Sequence, residues 1–200
     1  MVIRWGDNNQ WGRVMNKEDA DLFFLCPRTE IKRRGRFGVL YLLRRDIDQC
    51  MGIDPNTGQG GGPTALWPGA MAMLAGVDLL AKFFAGSDKV RGNGQRFLKF
   101  LECCSDLKNA DDRDLIYQLR NSLMHSFGLY SKGKRFILTS GGATELVSKP
   151  KPDQYSIDLP ILHQKFKEAV SLYREKLNGD EELGTKFDKM FANYGYINIE

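Results

Sequence analysis

The stretch WPGAMAMLAGVDLLAKFF, residues 67–84, is apolar on almost every side of a helical wheel. A helix without a polar face must be covered all round, which places it at the centre of a bundle. The other home for such a run is a lipid bilayer, but Asp78 and Lys82 fall near its middle. Each would cost roughly 2.5 to 3.5 kcal/mol at a membrane centre, so no membrane is expected. Four residues apart, Asp78 and Lys82 can pair on one face. That ion pair is the expected state of Asp78, ahead of a role lining a cleft.

Upstream of this stretch, Phe37, Leu40, Leu43, Ile47 and Cys50 recur at helical spacing between Gly35 and Met51, and Gly52 supplies a stop. Downstream, Gly94 to Cys104 puts Phe97, Phe100, Leu101 and Cys104 on one side. Asp111 and Asp112 then suit the positive end of a helix running from Leu115 to Phe127, with Gly128 after it. Beyond that point the period changes. Lys134–Thr139 and Gln154–Asp158 read as two strands around a loop holding Gly141, Gly142, Pro150 and Pro152, a small β-hairpin at 134–158. Helical spacing returns with Leu162, Phe166, Val170, Tyr173 and Leu177, and a last helix starts at Asp180. The expected fold is mainly all-α, an up-and-down helical bundle over residues 35–195 with one inserted β-hairpin. Residues 1–34 show no sustained period and read as an N-terminal arm, although Leu22–Leu25 must pack somewhere.

With 42% hydrophobic and 27% charged residues in a chain of 200, the composition is that of a globular protein and argues against general disorder. A net charge of +4 and a pI near 8.8 suit a polyanionic partner without demanding one. Cys26, Cys50, Cys103 and Cys104 form no CxxC and have no histidine at zinc spacing, so no metal is expected. They read as reduced thiols, and with no signal-peptide pattern in Met1–Asp7 the expected location is cytoplasmic. Gly58–Pro63 is glycine-rich but lacks a following Lys-Ser/Thr and a preceding strand, which makes it a linker and not a phosphate loop.

Chemistry concentrates on the Leu115–Phe127 helix. It carries Arg120, Asn121 and His125, and the protein has two histidines in all. An imidazole can move a proton near neutral pH, a guanidinium can neutralise a phosphorane, and an amide can hold either in place. Leu115, Ile116, Leu119, Leu123 and Phe127 fall in one apolar arc, with Asn121 and His125 opposite. Arg120 lies about 140° from His125 around the wheel, and one helix alone does not bring the two together. A two-fold axis beside this face would, so a homodimer is expected with Tyr117 and Met124 in its interface.

The string Arg120-Asn121-Ser122-Leu123-Met124-His125 resembles the Arg-polar-x-x-x-His signature of HEPN domains, helical bundles named for higher eukaryotes and prokaryotes nucleotide-binding. The order of elements is similar too, over about residues 35 to 178: the apolar helix with Asp78, the Gly94–Leu101 segment, and the motif helix running on to Tyr130. The resemblance implies metal-independent, cofactor-free endoribonuclease activity at a dimer interface, in toxin-antitoxin, defence or RNA-processing settings, with an antitoxin-like protein as a further partner. It implies that His125 is the general acid/base, that Arg120 stabilises the transition state, and that Asn121 orients one or the other. It equally leaves open a non-catalytic HEPN module that binds a nucleotide, an RNA or a protein.

Outside the motif, Lys32, Arg33, Arg34 and Arg36 make the densest basic patch and are the expected RNA-backbone contacts. His163, in the first turn of its helix, is expected to be exposed and inert.

Overall fold

α4 (Leu66–Ala85) runs through the middle of the molecule, packed by α3 (Val39–Cys50), α5 (Asn93–Cys104), α7 (Leu159–Leu177) and α8 (Glu181–Tyr194). The computed structural model describes residues 15–54 and 57–199, so the first fourteen residues of the expected arm lie outside the described residues. α4 is long and apolar enough to cross a membrane by composition alone, and half of that window is buried against its neighbours. Met73, Leu74, Leu80 and Phe83 are wholly buried along it, as a helix without a polar face requires. The protein is mainly helical, with eight helices and two small sheets among the described residues.

Residues 17–34 are not an arm. They form α1 (Lys17–Phe24) and α2 (Arg28–Arg34), and α1 contributes Leu22, Phe23 and Phe24 to the core. The Phe23 ring stacks on Phe83 at 4.5 Å and meets Phe187 edge-on at 5.4 Å. Eight residues make little more than two turns, too short a run for a helical period to stand out. The start is nonetheless marked, since the Asn16 side chain accepts from the Glu18 N–H at 3.1 Å.

The next expected helix begins late. Arg36–Gly38 form β1, which pairs antiparallel with β6 (Tyr196–Asn198), and α3 starts only at Val39. Gly38 is fixed by contact: a Cβ there would stand 2.0 Å from the Leu22 carbonyl oxygen.

The expected hairpin is corrected as well. β2 (Tyr130–Ser131), β3 (Lys134–Thr139), β4 (Val147–Lys151) and β5 (Gln154–Asp158) form one sheet in the order β2-β3-β5-β4. The two strands anticipated from sequence lie side by side but parallel, with Phe136 opposite Tyr155 and Leu138 opposite Ile157. A parallel pair needs a connection long enough to carry the chain back. β4 supplies it, running antiparallel to β5 within what reads as a loop because of Pro150 and Pro152.

Candidate functional site

α6 (Ala110–Ser126) carries the motif. Asn109 caps its start, accepting from the Asp111 N–H at 2.9 Å, and Leu115, Ile116, Leu119 and Leu123 turn inward. Phe127 leaves the apolar arc assigned to it. It sits just past the helix in the left-handed region at φ 46° and is 71% exposed, because the chain there has ceased to follow the helical wheel. A bulky side chain in that region costs roughly 1 to 2 kcal/mol.

Arg120 and His125 meet within one chain. Arg120 Nη1 stands 2.9 Å from His125 Nε2 and 3.0 Å from Asn121 Oδ1. The helical wheel counts azimuth only; five residues span about 7.5 Å of rise, which the long arginine side chain covers together with the imidazole. A second copy is therefore not needed to join the pair, contrary to the wheel argument.

The rest of the guanidinium faces α4. Nε and Nη2 both reach Asp78 Oδ2, at 2.7 and 2.6 Å. Asp78 thus pairs across helices with Arg120 and not along its own helix with Lys82, whose ammonium lies 5.2 Å over the Tyr194 ring. Burial pushes the Asp78 carboxyl above the usual carboxylate range, while the Arg120 charge and hydrogen bond pull it back. Its Oδ1 is buried without a hydrogen bond.

Arg96 of α5, which no local pattern singles out, adds a second guanidinium acting on the Asp78 carboxylate. Its own Nε is buried and unbonded, and its nearest hydrogen bond is a long one to Asn93 at 3.4 Å. Around Asp78 the field is net positive, with Arg120, Arg96 and Lys82 against one carboxylate.

A guanidinium only donates, so in this arrangement His125 Nε2 is the accepting, unprotonated nitrogen and Nδ1 carries the proton. His125 is exposed, and Asn121 and Met124 are half-exposed beside it. Tyr117 is turned against its own chain: its ring is 5.4 Å from Phe97, and its hydroxyl fills the space where a Cβ on Gly94 would stand.

The basic patch is largely committed to other groups. Arg33 pairs with Glu18 and Glu30 at 2.7 Å, and Arg34 pairs with Glu18, Glu30 and Asp19. Arg36 lies 4.0 Å over the Tyr196 ring, while Lys32 is exposed. These acids come from α1 and α2, whose fold was not legible in the sequence.

His163 is buried and not exposed, with Nε2 2.9 Å from Asp48 Oδ1 of α3. Burial holds its imidazole below the usual value, outweighing the pull of Asp48. Among the described residues no group of three or more His, Cys, Asp or Glu side chains stands close enough to hold a metal ion.

No protein-family model, no curated protein and no solved structure matches this chain. The fold and site define a mainly helical protein whose α6 presents an exposed histidine bonded to an arginine anchored on the central helix.

Proposed function

We propose that this protein is a metal-independent RNA endonuclease of the HEPN type. The observation that carries the reading is the 2.9 Å contact between Arg120 and His125, with the arginine fixed from behind by Asp78. A phosphodiester entering beside His125 offers its anionic oxygens to the guanidinium as stronger, charge-assisted acceptors than an imidazole. That exchange releases His125 Nε2 to take the proton of the ribose 2′-hydroxyl. The 2′-oxygen attacks phosphorus, Arg120 stabilises the charge on the pentavalent species, and the imidazolium returns a proton to the departing 5′-oxygen. The products are a 2′,3′-cyclic phosphate and a 5′-hydroxyl, and all atoms come from the RNA itself.

The test is cleavage of single-stranded RNA by the purified chain in EDTA. Activity should persist, a 2′-deoxy nucleotide at the scissile position should block it, and His125→Ala and Arg120→Ala should each lower the rate by about 10² to 10⁴. Cutting of DNA, a requirement for a divalent metal, or full activity with alanine at 125 would overturn the reading.

A second reading is favoured by the open setting of His125 and by the guanidinium donors already engaged by Asp78 and Asn121. On that reading the site binds a phosphate without cutting it. Arg120-dependent RNA binding with no product formed would select it.

A further inference from the structure

Beside His125 lie two aromatic rings whose exposure the fold does not explain. Phe127 is 71% and Tyr130 is 59% exposed, and every other aromatic ring among the described residues is buried or half-buried. Both fall within five residues of His125, and three residues of chain hold their Cα atoms no more than about 11 Å apart. Phe127 is also held at φ 46°, a conformation glycine would adopt without strain. Packing does not call for a large apolar ring there.

The sheet continues the surface. Tyr130 pairs with Arg135, Arg135 with Gln154, and Gln154 with Lys151, so the register sets the four in one row across β2, β3, β5 and β4. Cross-strand partners project from one face, and three strand spacings make the row about 14 Å long. It borders an open groove of about 560 Å³ lined by Leu129, Tyr130, Arg135, Phe136 and Gln154. Arg135 is 71% exposed, and its nearest carboxylate, Asp153, stands 3.9 Å away. From Gly128 to Lys151 the chain has five basic residues and one acid.

Exposed rings next to a row of cations are the surface that holds unpaired bases by stacking and their phosphates by charge. A second copy of this chain fits less well, because a two-fold contact here would set these basic rows near one another. Duplex RNA fits less well again, since its bases are already stacked and present no face to a ring.

We infer that Phe127 and Tyr130 form a stacking platform for unpaired bases flanking the phosphate at His125, with Arg135 and Lys151 following the backbone. This rests on the nuclease reading of the same site and narrows it.

The experiment measures, by fluorescence anisotropy, binding of the full chain to a 2′-O-methyl single strand, which lacks the attacking hydroxyl, and to a 2′-O-methyl duplex. Phe127→Gly removes a ring while suiting the left-handed backbone, and Tyr130→Ala removes the other. Each should weaken single-strand binding by about 5- to 100-fold and leave duplex binding unchanged, and Phe127→Trp should retain single-strand affinity. Unchanged single-strand affinity in both ring-removing variants, equal loss on the duplex, or no single-strand binding by the wild type overturns the inference. So does a shift from dimer to monomer at constant strand affinity, which would assign the rings to a self-interface. Ring-dependent binding without cleavage of the unmethylated strand keeps the platform and removes the nuclease reading. Cleavage with ring-independent binding does the reverse.

Discussion

Arg120 is held from two sides, by Asp78 of α4 on one and by Asn121 and His125 of its own helix on the other. Both members of the cross-helix pair are mostly buried, with side-chain exposures of 12% and 13%. Such a pair is costly to break from one side, because the remaining charge keeps its burial and loses its partner. Asp78→Asn is expected to cost about 1 to 3 kcal/mol, seen as a fall in Tm of about 2 to 4 °C per kcal/mol. It should also lower cleavage, since the guanidinium then loses the anion that aims it at His125. A variant with wild-type Tm and activity would remove Asp78 from the account. The arginine and histidine were legible in the sequence as residues, but their geometry was not. A helical wheel has no side-chain length in it, and the partner of Asp78 lies 42 positions away in the chain, where i,i+4 reasoning does not look. The burial of His163 is hidden from local pattern in the same way, since its partner Asp48 belongs to another helix.

Among the elements, long helices with a sustained apolar period were readable and the short pieces between them were not. α4 differs from its expected span by one residue at each end, and α7 ends at the expected Leu177. α1, β1, β4 and β6 are too short to show a period, and what fixes each is contact with a distant segment. Gly38 shows how tight such a contact is. Its φ of −68° is open to any residue, so only space restricts the position. An added methyl would meet the Leu22 carbonyl oxygen and carbon at 2.0 and 2.8 Å, and a backbone carbonyl within α1 cannot swing aside as a side chain can. Gly38→Ala is therefore expected to destabilise by about 3 kcal/mol, the upper end of the usual overpacking range. Gly179→Ala, with nothing within 4 Å of the added carbon, should leave thermal unfolding nearly unchanged. Equal Tm values for the two would show that α1 does not pack where it is described.

At the scale of the whole molecule, the two ends of the described chain close on each other through rings: Phe23 and Phe24 of α1 meet Phe187 of α8, and β1 meets β6. This closure leaves α6 with one face on the core and one face outward, where His125, Asn121 and Met124 lie. His125 is exposed, and a second copy seated on the Asn121 and Met124 side of it, away from Phe127 and Tyr130, would supply a wall that excludes water. We expect a homodimer on that ground, measurable by light scattering at tens of micromolar protein. Its logic differs from that of a site assembled across the interface. Where Arg120 of one copy served His125 of the other, mixing Arg120→Ala with His125→Ala protein would rebuild one intact site in each mixed dimer. With Arg120 and His125 bonded within a chain, every chain in the mixture lacks one of the two, and no intact pair exists. Mixing the variants, after a denaturation and refolding step that exchanges subunits, should therefore leave cleavage at the level of the single variants. Recovery of about a quarter of the wild-type rate from an equal mixture, in which half of the dimers are mixed and each has one intact site of two, would place the working pair across the interface and make the intrachain contact a resting arrangement.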